Sequence, residues 1–262
     1  NRGNIQMDGF GTGLWAESHG KGLIDNNATV SASLGIGMSV NDGTATLRNS
    51  GSITGKVTDT TAGVLTAHGI SISARIIDVI NSGDVRAGVN VTAGLGMNLL
   101  GQFRTTVVNS GDITAPGGAI VAQAFGGGGR VSVTNTGNLG SANNGLHTID
   151  VLGDDGAKVD NSGAIDGTGA SIRARSANGA VEVFNTGALT KIESSNSGLY
   201  RITGEVNGTS GSVLIDNSGR LFGGSGGGIS ASMFQANGIS VEGDVTVRNS
   251  GEIFVGGGWG IS

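Results

Sequence analysis

Four carboxylates, Asp150, Asp154, Asp155 and Asp160, fall within one short stretch of the chain, with Lys158 among them and Arg130 upstream. Two carboxyl groups on opposite walls of a saccharide groove are what acid–base cleavage of a glycosidic bond requires, so this cluster is where a polysaccharide lyase or hydrolase activity would reside. The bland reading accounts for the same residues better. Gly153-Asp154-Asp155-Gly156 is a plain turn string, and a solvated loop needs no chemistry.

The other chemical signals are weaker. His19, His68 and His147 are widely spaced, and Cys is absent, so neither a thiolate site nor a compact His cluster is in view; no metal or other cofactor is expected. The runs Gly126–Gly129 and Gly223-Gly224-Ser225-Gly226-Gly227-Gly228 lack the Asp of a calcium-binding Gly-Gly-x-Gly-x-Asp repeat and the Lys-Ser/Thr of a phosphate loop. They read as turns. A formal charge of -5, with charges thinly spread, supplies no basic stripe, which argues against a nucleic-acid partner. Tyr200, Arg201, Asp154 and Asp155 remain as ligand-binding candidates, with Trp15 and Trp259 as exposed-aromatic candidates.

What must position any of these groups is a repeat. Two alternating apolar residues are followed by Asn-Ser/Thr-Gly, one further residue and an aliphatic, as in Val107-Val108-Asn109-Ser110-Gly111-Asp112-Ile113. The anchoring residues are Asn49, Asn81, Asn109, Asn135, Asn161, Asn185, Asn217 and Asn249. The glycines two positions on are Gly51, Gly83, Gly111, Gly137, Gly163, Gly187, Gly219 and Gly251. Asn1-Arg2-Gly3-Asn4-Ile5 and Ile24-Asp25-Asn26-Asn27-Ala28-Thr29-Val30 are incomplete versions. Successive Asn positions from Asn1 are 25, 23, 32, 28, 26, 26, 24, 32 and 32 residues apart, so length varies by insertion, and insertions belong in loops.

Between the anchors lies a second phrase of period two, such as Gly69-Ile70-Ser71-Ile72-Ser73-Ala74. Each unit therefore predicts three short strands: one before Asn, one after Gly, and one around the Gly-Ile phrase. Such a unit cannot bury its own apolar face, but stacked copies can. The expected fold is all-β, a right-handed parallel β-helix of about ten coils of three short strands. Residues 1–262 form a single segment of it, an excerpt of a longer array.

Alternation places Val245, Val247 and Asn249 on one face, so the repeated Asn should point inward as a structural ladder. The following Gly is expected to supply the left-handed conformation of a corner. The 52 glycines, about a fifth of the chain against a usual roughly 7%, fit a protein dominated by turns.

The string Val-x-Val-x-Asn-Ser-Gly-x-Ile, a Gly-rich turn and then Gly-Ile-x-Ala resembles the repeats of autotransporter passenger domains. That resemblance covers nearly the whole chain. It implies export by type V secretion through a C-terminal β-barrel in the Gram-negative outer membrane, which is not part of this sequence. It also implies an extracellular location on the bacterial surface and a role in adhesion, aggregation or display. A cell-surface or matrix component, a glycan among the options, and lateral self-association are the partners it suggests. Protease members carry Gly-Asp-Ser-Gly in a separate domain, and that string is absent here; the expectation is a non-catalytic stalk, with a polysaccharide-binding or polysaccharide-degrading β-helix, or a tailspike-like protein, as the alternative.

Overall fold

The computed structural model describes residues 1–7, 11–56, 67–89, 94–141, 147–168, 171–191, 201–223, 227–234, 242–256 and 259–262. Among them there is no helix, and every registered strand pair is parallel. The chain is a right-handed parallel β-helix. Its first face is a ten-stranded stack that begins with Ile5–Gln6 and reaches Ile253–Phe254, each strand directly following an Asn corner. The inward residue of each strand is an aliphatic in register with the next: Ile113 lies over Val85, Leu139 over Ile113 and Ile165 over Leu139.

The second face carries the Gly-Ile phrase and the third face carries the strand that ends in Asn. In the later coils these are separate strands, such as Ile149–Gly153 and Gly156–Asn161. Three earlier coils differ from the expectation of short strands. There Leu34–Asn49, His68–Asn81 and Leu95–Asn109 run continuously across both faces, so the two faces form one 15-stranded sheet. The bend survives within them as a register shift, between Val40 and Thr44 and between Ala74 and Ile76. A bulge of this kind turns a strand without breaking it.

Inside, a single column of Ile, Val, Leu, Met and Ala is formed by all three faces, and alternation sends every second residue to solvent. Nothing but stacking could bury it. With strands about 4.8 Å apart, nine intervals give a rod roughly 43 Å long.

Candidate functional site

The Asn corner is the most regular construction in the protein. Asn26, Asn49, Asn81, Asn109, Asn135, Asn161, Asn185 and Asn217 are each buried, 0–3% exposed. Their side-chain amides form a continuous hydrogen-bonded column: Nδ2 of Asn49 donates to Oδ1 of Asn81 at 2.6 Å, and the same contact repeats at 2.7 Å from Asn81 to Asn109 and from Asn109 to Asn135. It continues through Asn161, Asn185 and Asn217 to Asn249, and in the other direction through Asn26 to Asn1. The second amide hydrogen goes to the carbonyl of the residue two positions on, Gly83 O for Asn81 at 2.8 Å and Gly137 O for Asn135 at 2.9 Å. Asn alone fits: the position needs two donors and an acceptor on a short stem, and a carboxylate has no donor.

The glycines of this corner act differently from the sequence expectation. None of the eight has a left-handed φ; the positive-φ glycines include Gly156, Gly179, Gly211 and Gly243, which stand at the bend leading into the third face. The Asn-corner glycines are required by close approach. A Cβ on Gly83 would lie 1.9 Å from the carbonyl oxygen of Gly51, on Gly111 2.1 Å from Gly83 O, and on Gly137 2.1 Å from Gly111 O. Those carbonyls are also the acceptors of the Asn amides, so ladder and glycine stack are one structure. Gly51 itself would meet Ala28 O, and Gly163, Gly187, Gly219 and Gly251 would each meet the corner carbonyl of the coil before.

The acidic cluster is dispersed by the fold. Asp150 points outward from the second face, where Arg173 Nε donates to it at 3.0 Å and Arg175 Nη2 at 3.3 Å. Asp154 and Asp155 occupy the bend between faces: Asp154 accepts from the backbone of Gly128 at 3.0 Å, and Asp155 pairs with Arg130 at 2.7 Å. Asp160 faces out from the third face beside Lys158, 3.4 Å away. The fold thus splits the sequence cluster: Asp150 is paired on the second face, whereas Asp155 and Asp160 are paired with Arg130 and Lys158 along the third face and the bend that leads into it.

Arg201 is enclosed, only 1% exposed, and its Nη2 donates to the carbonyl of Gly223. Burial lowers its pKa to about 10. It offers no surface contact in this form, and Tyr200 lies outside the described residues. Trp15 and Trp259 are exposed, 56% and 72% respectively. Trp15 spreads its ring over Gly37 of the neighbouring coil, where a Cβ would lie 2.4 Å from it.

The three histidines stand on different coils. His19 is exposed, and His68 Nδ1 accepts from the backbone of Leu95 at 3.1 Å. His147 is buried with its Nδ1 2.8 Å from Ser171 Oγ; burial first and Arg173 second lower its pKa to about 4, against an opposing pull from Asp150. This neighbourhood of Ser, His and Asp was not singled out by sequence reasoning, because its members lie on adjacent coils rather than in one motif. Ser171 is 1% exposed, so its hydroxyl faces protein rather than a cleft. Among the described residues no group of three or more His, Asp or Glu is arranged to hold a metal ion.

A shallow groove on the third face was also missed. It occupies about 420 Å³ and is bordered by Arg104, Arg130, Ser132, Lys158 and Glu182. Comparison of the chain with protein-family models, with curated proteins and with solved structures finds no match in any of the three.

Proposed function

We propose that this chain is a segment of an extracellular stalk that presents its lateral surface for adhesion, aggregation or filament self-association, without catalysis. The observation that carries the reading is the unbroken Asn column from Asn1 to Asn249. A side-chain network repeated on every coil is devoted to holding a rod together, and a rod supplies reach and a large flank rather than one enclosed site. The engagement of Asp150, Asp155 and Asp160 by Arg173, Arg130 and Lys158 also favours a binding surface over a pair of catalytic acids. The repeat phrase resembles that of autotransporter passenger domains, and on this reading the segment is carried on the Gram-negative cell surface by a barrel outside this sequence. Its partner is then a surface or matrix component, or a second copy of the rod.

The test is to display the chain on the surface of a non-adherent Gram-negative host and to measure settling and attachment to glycan-coated and bare surfaces. Increased aggregation or attachment is expected relative to the carrier alone. Unchanged behaviour on every surface, with correct display verified, would reject the stalk reading. Release of reducing or unsaturated sugar ends from polysaccharide by the purified chain would establish the enzymatic alternative.

A further inference from the structure

We propose that the third-face groove binds a neutral oligosaccharide lying along the rod axis; this rests on the reading of the flank as an adhesive surface. The groove arises from a change of side-chain size within one outward row. That row holds Arg104 and Arg130 on two neighbouring coils, then Gly156 and Ala180 on the next two, so tall side chains give way to an open floor. A second depression of about 240 Å³ continues beside it, bordered by Thr134, Asp160, Phe184 and Thr186. Lys158 stands between the two, 3.4 Å from Asp160, 4.0 Å from Glu182 and 5.1 Å from the centre of the Phe184 ring.

The charge pattern selects the ligand. Each cation along the groove already faces a carboxylate: Arg104 faces Asp78 at 3.1 Å, Arg130 faces Asp155 at 2.7 Å, and Lys158 faces both Asp160 and Glu182. An anion arriving there meets cations that are already neutralised and carboxylates that repel it. A sugar hydroxyl is suited to the same walls, because it donates to a carboxylate while accepting from the adjacent ammonium or guanidinium. Ser132, Thr134 and Thr186 add neutral donors and acceptors, and the Phe184 ring, with the Lys158 ammonium over one face, adds an apolar edge to the wall.

The experiment is calorimetric titration of the purified chain with neutral hexasaccharides of β-1,4-glucose, α-1,4-glucose, β-1,4-xylose and β-1,4-N-acetylglucosamine, and with hexagalacturonate as the anionic comparison. At least one neutral hexasaccharide should bind, with an affinity nearly unchanged when salt is raised tenfold. Glu182→Gln and Phe184→Ala should each weaken it about tenfold or more, whereas Asp150→Asn on the second face should leave it unchanged; circular dichroism checks that each variant is folded. Binding of hexagalacturonate alone, no binding of any neutral hexasaccharide, or binding insensitive to both groove variants overturns the proposal. If displayed cells still aggregate in any of those cases, the groove assignment fails and the stalk reading stands.

Discussion

Asn109 donates its side-chain amide to Oδ1 of Asn135 on the next coil, 2.7 Å away, and Asn135 repeats the contact to Asn161 at the same distance. Removing one member therefore disturbs three neighbours. Asn135→Ala leaves an amide hydrogen of Asn109, Oδ1 of Asn161 and one acceptor site of Gly137 O without partners in a buried column. At about 1–3 kcal/mol for an orphaned buried group, partly relieved by relaxation, the loss should be about 3–5 kcal/mol. Asn135→Asp should be worse still, since a carboxylate has no hydrogen for Asn161 or Gly137. Urea unfolding of both variants, against the outward-facing Thr134→Ala as a control near zero, checks this; equal midpoints for all three would remove the ladder's energetic role.

Gly137 and Gly140 lie three residues apart on one coil, and neither has a left-handed φ. A Cβ at Gly137 meets the carbonyl oxygen of Gly111 at 2.1 Å, whereas one at Gly140 meets the Thr114 side chain at an ordinary 3.6 Å. Gly137→Ala must push two coils apart or twist the acceptor of the Asn109 amide, and should lose about 3 kcal/mol. Gly140→Ala should be neutral or stabilise by about 0.5 kcal/mol through the unfolded chain. Thermal melts of the two variants read the contrast, and similar behaviour would show that crowding is not what demands glycine at the corner.

The fold was legible because its determinants are local and repeated. Asn109, Gly111 and Ile113 recur at fixed offsets from one another, and parallel stacking converts those offsets directly into registered rows. The reason for each glycine was not legible, since a left-handed bend and a carbonyl of the neighbouring coil demand the same residue and only the spacing between coils separates them. The second corner was equally hidden: whether Val40 to Thr44 is a loop or a bulge in one strand depends on pairing with the coil above. Surface constellations were least accessible. Lys158 meets Glu182, and His147 meets Ser171, only after coils of unequal length have been aligned, and the chain between them carries no motif that announces the pairing.

Arg201 carries a charge into a site that is 1% exposed, where its Nη2 reaches Gly223 O and its Nε has no hydrogen-bond partner. Burying a guanidinium with incomplete hydrogen bonding opposes folding, and an apolar side chain of similar length relieves that penalty. Arg201→Met should therefore be neutral or stabilising by about 1–2 kcal/mol, a rise of several degrees in melting temperature for a chain of this size. A clear fall in melting temperature would instead show that the guanidinium is satisfied in solution, and restoration of the wild-type advantage only in phosphate or sulfate buffer would identify an anion as its partner.

His147 gives the rod an acid-sensitive point. Its pKa is lowered from 6.5 to about 4 by burial and by Arg173, so the folded protein holds this ring neutral where the unfolded chain would protonate it. The unfolded state binds the extra proton between those two values, and stability therefore falls as pH drops through this window, with the full loss of about 3 kcal/mol reached below pH 4. Above pH 6.5 the ring contributes no pH dependence. Burial lowers the pKa of His68 in the same direction, so a smaller acid loss should persist without His147. Urea unfolding at pH 7 and pH 4 should show His147→Gln losing about 3 kcal/mol less than wild type over that interval. Asp150→Asn should lower the His147 midpoint further, because it removes a carboxylate that favours the protonated ring while Arg173 and Arg175 remain, and ring-proton chemical shifts followed by NMR would detect it. An unchanged His147 midpoint in Asp150→Asn, or equal acid losses in wild type and His147→Gln, would place the acid sensitivity elsewhere in the column.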